Sequence, residues 1–221
     1  MSGILSRCFS TITPSVTTVI RRETHKVLNQ ATQLVNYNMY ESDPALKRSI
    51  AGFQKSFQEG FQGDSSSKLM TDYGVECGSD SMIDTANLAE KNRPTLRQFD
   101  QFGHRLDVVD FHPSYHQLMK TGMEIGVGSY GYNHLSPSTP DAHITRGALL
   151  YMHNQVEPGV CCPLVMNNAA IPVLSRVSKT IPGFESVVSQ LKHQSYDPRN
   201  VPISEKQSIM AGMSMTEKQG G

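Results

Sequence analysis

Three stretches carry residues whose types and spacing could do chemistry: Met213-Ser-Met-Thr-Glu-Lys-Gln-Gly-Gly221, the histidines His112 and His116, and the run Cys161 to Leu174 with Asn167 and Asn168 in its middle. The first follows Ser208-Ile-Met-Ala-Gly212, an apolar run with the length of a buried strand, and a strand is predicted over residues 209–216. Backbone at Gly220-Gly221 can turn and lie close to a ligand, and its amide N–H groups can hydrogen-bond a phosphate. Thr216, at the exit of the predicted strand, can present its hydroxyl to a planar cofactor. The plain alternative for the same residues is a solvated loop. His112 and His116 are four apart, a spacing that can hold a metal on one helix face. No acidic residue lies between them and no third ligand is evident, which favours a capping histidine and a packed one. The run from Cys161 is apolar nearly all round, and such a helix is expected to be buried. Buried amides must be hydrogen-bonded, so Asn167 and Asn168 are either structural glue or the polar lining of a cavity.

Composition narrows the setting in which this chemistry could run. Twenty basic residues balance 20 acidic ones, with no basic stripe, which argues against a nucleic-acid binder. No apolar run approaches the length of a membrane span, so no transmembrane helix is expected. The four cysteines, Cys8, Cys77, Cys161 and Cys162, form no Cys-x-x-Cys pair and no disulfide framework, which fits a reducing compartment. Residues 1–22 hold Arg7, Arg21 and Arg22, eight Ser/Thr and no acid, the composition of a mitochondrial transit peptide with a destination in the matrix. Arg7-Cys8-Phe9 before Ser10 resembles a matrix-processing site. Without those residues the chain keeps 17 basic against 20 acidic side chains.

The elements that must position these residues are mainly helical. Thr24 to Gln30 and Asn36 to Glu41 read as an extended surface arm. Ser42 or Asp43 caps a helix with Pro44 in its first turn, and Leu46, Ile50, Phe53, Phe57 and Phe61 form its inner face. It ends near residues 60–63, and Gly63 to Ser67 reads as a polar loop. Lys68 to Gly78 gives no clear signal. A second helix runs from Asp80 to Asn92 with Met82, Ile83, Ala86 and Ala89 inside, before Pro94. Leu96 to Asp100 and His104 to Phe111 form a small hairpin with Val109 and Phe111 half-buried. Pro113 opens the next helix, and glycine-rich Gly122 to Pro140 reads as a loop. Ser138 or Thr139 caps a long helix to about Glu157, packed through Ala148, Leu149, Met152 and Val156. A short amphipathic helix, Pro182 to His193, and a turn at Tyr196-Asp-Pro198 follow.

Met-Thr-Glu-Lys-Gln-Gly resembles the flavin-contacting segment of the AidB-type branch of the acyl-CoA dehydrogenase superfamily. Residues 24–30, 43–46, 111–119, 155–174 and 213–221 resemble that family in order, so the resemblance covers nearly everything from Thr24 on. Cys162-Pro-x-x-Met166 corresponds to a family Cys-Pro-x-x-Met-Thr on the flavin and substrate side, with Asn167 replacing the threonine. The resemblance implies the helical N-terminal domain of the acyl-CoA dehydrogenase fold with a small β-hairpin, over residues 23–205. Residues 206–221 would then begin the middle β-domain. It further implies FAD, with Met213, Ser214, Met215, Thr216, Glu217, Lys218, Gln219, Gly220 and Gly221 at the flavin. Thr216 would lie nearest the ring and Gly220-Gly221 nearest the pyrophosphate. A homo-oligomer or partner chain and an acyl-CoA-like substrate are implied as well. The base-bearing C-terminal bundle of the family lies beyond this sequence, so the expectation is the front part of an FAD-dependent acyl-CoA dehydrogenase-like oxidoreductase, inactive as this fragment. The alternative is a non-catalytic scaffold or accessory subunit. DNA protection, a role of the family's founding member, is disfavoured by the charge balance.

Overall fold

The computed structural model describes residues 27–56, 64–214 and 218. Two units separate at Leu34 and Val35. Of the first, residues 27–34 are irregular and exposed. The expected transit peptide, most of the Thr24–Gln30 stretch's first half, and Phe57 and Phe61 lie outside the described residues.

The second unit begins with a segment that is packed, where a surface arm was expected. Met39 and Tyr40 are buried. Asn38 Nδ2 donates to Thr71 O at 3.0 Å, and Met39 N–H donates to Gly74 O at 2.9 Å. The approach is so close that a Cβ on Gly78 would fall 1.9 Å from the Tyr37 carbonyl oxygen, which is why two glycines stand here. Asp43 then caps helix α1 (Pro44–Gln54), its Oδ1 accepting from the Ala45 and Leu46 amides. Only Ile50 of α1 is buried, and Phe53 is mostly exposed.

Helix α2 (Asp64–Cys77) replaces both the polar loop expected at 63–67 and the stretch that gave no signal. Its inner stripe is Ser66, Met70, Tyr73 and Cys77, spaced four, three and four apart and all buried. The serine run, poor in helix propensity, conceals its start. Helix α3 (Asp80–Lys91) has Ser79 as its cap and buries Met82 and Ala86. Strands β1 (Thr95–Phe99) and β2 (Arg105–Asp110) pair antiparallel, with Leu96 opposite Val109 and a bulge where Asp107 takes a positive φ. Val109 is exposed and Val108 is the half-buried residue, the reverse of expectation, and β1 is exposed along its whole length. Phe111 is half-buried and stacks on Tyr115 at 4.2 Å.

Helix α4 (Pro113–Ile125) closes with Gly126 in the left-handed region, and the Val127 amide returns to Gly122 O at 2.9 Å. The glycine-rich stretch is therefore not all loop: it also contains α5 (Tyr130–His134). Helix α6 (Ala142–Val156) is the hub of the unit, touching α1 to α5 and α7. Its Asp141 makes no side-chain cap bond and instead accepts from Gln54 Nε2 at 3.1 Å. Glu157 forms a sharp corner, accepting from the Gly159 and Val160 amides at the start of α7 (Pro158–Val177). Helix α8 (Phe184–Lys192) buries Val188 and Leu191.

Two expectations about the later chain change. Helix α7 buries one face only, Val160, Cys161, Leu164, Asn167 and Ile171, while Val165 and Val173 are exposed. It forms the outer wall of the helical array, so its far side meets no described element. By length and composition alone α7 is also apolar enough to cross a membrane, which the sequence reading did not anticipate, yet its inner face serves as a bundle wall. Residues 206–214 carry no strand. A strand needs a ladder partner, and Ile209 instead donates singly to Gln190 O at 3.4 Å.

Candidate functional site

The corner at Glu157 lays α6 and α7 side by side, and the crease between them is an open apolar groove of about 630 Å³. From α6 it takes Gly147, Leu150, Tyr151 and Asn154, residues spaced three, four and seven apart. From α7 it takes Pro158, Cys161, Cys162, Val165 and Met166. No charged side chain lines it. A space of this size is in the range of small-molecule sites, about 300–1,000 Å³, and its chemistry suits a neutral hydrocarbon.

Each flank is fixed by a different device. The Tyr151 hydroxyl donates to Asp43 Oδ2 at 3.0 Å, on the carboxylate that also caps α1, so the ring is tied to a helix start. That bond to Asp43 also raises the Tyr151 pKa. Burial, reinforced by Glu157, pushes the Cys161 thiol up to about 12, so it stays protonated and inert as a nucleophile. Cys162 is exposed on the groove.

Asn167 points the other way. Its Nδ2 donates to Leu191 O at 2.9 Å, and Asn168 Nδ2 donates to Gly128 O at 3.4 Å. Of the two roles open to the pair, structural glue is the one observed, tying α7 to α8 and to the turn after α4. His112 and His116 likewise take the plain roles. His112 Nδ1 accepts from the Ser114 amide at the start of α4, and His116 bonds the Tyr196 hydroxyl through Nδ1 at 2.7 Å.

A second hollow, about 600 Å³, lies between β2, α4 and residues 196–210. Its three lining aspartates each meet an arginine, Asp110 with Arg97, Asp107 with Arg105, and Asp197 with Arg199, whose guanidinium holds that carboxyl well below the usual carboxylate range, while Lys206 on the same wall donates to the Arg199 carbonyl.

Of the nine residues expected at a flavin, Met213, Ser214 and Lys218 are described and exposed, and none lines either hollow. Met215, Thr216, Glu217, Gln219, Gly220 and Gly221 lie outside the described residues. The groove itself was half legible: Cys162 and Met166 stood out, whereas Gly147, Leu150, Tyr151 and Asn154 did not, because the deeper stripe of α6 drew the helical pattern to itself.

Comparison with known proteins agrees with this architecture. Residues 29–198 match the family described as the adaptive response protein AidB N-terminal domain. The chain is 34% identical over 200 residues to the putative acyl-CoA dehydrogenase AidB of Escherichia coli (strain K12), covering 90% of this chain and 35% of that protein. Its fold matches Caenorhabditis elegans ACDH-11 in complex with C11-CoA with a TM-score of 0.71 at 23% identity, covering 89% of this chain and 31% of that one. The apo-form of Bd2924 matches with a TM-score of 0.68 at 22% identity, covering 87% of this chain and 35% of that one. The chain thus spans about a third of the length of these relatives. This mostly helical array with its two-stranded hairpin is the N-terminal helical domain of the acyl-CoA dehydrogenase fold, and the chain belongs to the AidB N-terminal domain family.

Proposed function

We propose that this chain is the acyl-binding helical part of an FAD-dependent acyl-CoA dehydrogenase-like oxidoreductase, with the α6–α7 groove holding the acyl chain. The observation that carries the reading is the uncharged groove itself, lined by Cys162 and Met166 of the family-like Cys-Pro-x-x-Met segment. That one structural neighbour was captured with C11-CoA adds to it. Burying hydrocarbon there is favourable by about 0.8 kcal/mol per CH₂, and an uncharged lining spends nothing on desolvating ions.

FAD would meet residues 213–221, with Thr216 nearest the ring and Gly220-Gly221 nearest the pyrophosphate. The described Ser214 and Lys218 fit such a role, being exposed and of a chemistry that suits an anion. When bound, the flavin supplies the hydride acceptor, and this chain's residues supply position. The base-bearing region would lie outside these residues, so the fragment alone is proposed to be inactive. Residues 1–22 are proposed to direct the protein to the mitochondrial matrix.

The test is absorbance from 350 to 500 nm on the protein as isolated from its natural source, together with titration by undecanoyl-CoA. A flavin spectrum with saturable binding is expected. Absence of both would set the dehydrogenase reading aside and favour a scaffold or accessory subunit.

A further inference from the structure

Gly147 stands in the interior of a fifteen-residue helix, where glycine is less favourable than alanine. At two other helical glycines, Gly74 and Gly122, such a cost has a visible return. A Cβ at Gly74 would fall 2.7 Å from the Tyr40 backbone nitrogen, and one at Gly122 would fall 2.8 Å from His153 Nε2. At Gly147 a Cβ would meet nothing within 4 Å. Gly52 in α1 is similarly unconfined, but it lines neither of the two hollows. Packing therefore gives no reason for glycine at 147, and the space it leaves open belongs to the groove.

The neighbouring positions show what that space does. Tyr151, one turn further along α6, is held by Asp43, so that flank is a fixed wall. Asn154 and Pro158 line the groove beside the corner. Gly147, which lines the groove with Val165 and Met166, has no atom within 4 Å of where its Cβ would stand, so nothing on α6 fills the groove at that position. We propose that Gly147 is a specificity-determining residue: its missing side chain lets a long acyl chain run across α6, and the residue at 147 sets the chain length accepted. The inference rests on the reading of the groove as an acyl-chain site.

Gly147→Ala and Gly147→Leu test it, because neither side chain meets a fixed neighbour at its Cβ. Both variants are expected to fold, with Gly147→Ala melting roughly 3 °C higher than the parent. Binding of straight-chain acyl-CoAs from four to fourteen carbons is then measured by calorimetry for all three proteins. In the parent, affinity is expected to rise about fourfold per added buried carbon, and in Gly147→Leu the rise is expected to level off several carbons earlier. Identical length profiles in parent and Gly147→Leu would overturn the assignment while leaving the groove as the acyl site. Failure of the parent to bind any acyl-CoA would overturn the groove reading, and the assignment with it.

Discussion

Replacing Leu164 with alanine is expected to cost about 3 kcal/mol of stability, lowering the melting point by roughly 10 °C. Leu164 is fully buried in the middle of α7. Its Cδ1 would lie 2.6 Å from a Cβ on Gly122 and its Cδ2 3.7 Å from one on Gly128, so it fills the space between α7, α4 and the turn after α4. The hole left by alanine cannot collapse cheaply. Helix α7 is also tied to α8 through Asn167 and to the turn through Asn168, and the Glu157 corner fixes its start. Urea unfolding measures the change, with the midpoint falling and the slope unchanged. A loss below about 1 kcal/mol would mean that α7 does not use Leu164 to hold the groove's floor in place.

Stability is also expected to fall by about 3 kcal/mol between pH 6.5 and pH 4, through one buried ring. His153 is completely inaccessible, and burial lowers its pKa to about 4. Nδ1 bonds the Tyr73 hydroxyl at 2.6 Å, whereas Nε2 has no partner and faces Gly122. A bare lone pair at Nε2 costs less than an orphaned N–H, so the neutral ring donates from Nδ1 to Tyr73. The folded-state pKa lies below the unfolded value, so the unfolded chain binds more protons across this window. The contribution is therefore complete above pH 6.5 and is lost as pH falls towards 4. Carboxylates held low by their hydrogen bonds, such as Asp43 and Asp100, lose theirs only at lower pH. Urea midpoints at pH 7, 5.5 and 4.5 for the parent and for His153→Phe provide the check. A slope that survives in His153→Phe would assign the acid sensitivity to another group.

The same buried network shows where sequence reasoning reached its limit. The helices starting at Pro44, Asp80, Pro113 and Phe184 were legible because in each the apolar spacing agrees with a start signal, a capping side chain or a nearby proline. Helix α2 was not, since its stripe contains a serine and a cysteine beside Met70 and Tyr73, and a serine run masks its start. His153 reads as an ordinary polar residue until the fold brings Tyr73 against it from 80 positions away. The one-sided burial of α7 was likewise hidden, because apolar residues cover a helix facing a bundle and one facing a ligand alike. The family pattern did identify Cys162 and Met166. It left out the α6 half of the groove, where the informative residue is a glycine with no neighbour.

Alkylation of Cys162 tests the central claim most directly. Among the described cysteines Cys162 alone is exposed, while Cys77 and Cys161 are buried, so mass spectrometry can follow N-ethylmaleimide addition at one position in the groove. Saturating undecanoyl-CoA is predicted to slow that addition at least several-fold, and acetyl-CoA, with the same head group and almost no chain, is predicted to leave it nearly unchanged. An unchanged rate at Cys162 under saturating undecanoyl-CoA would contradict the placement of the acyl chain between α6 and α7.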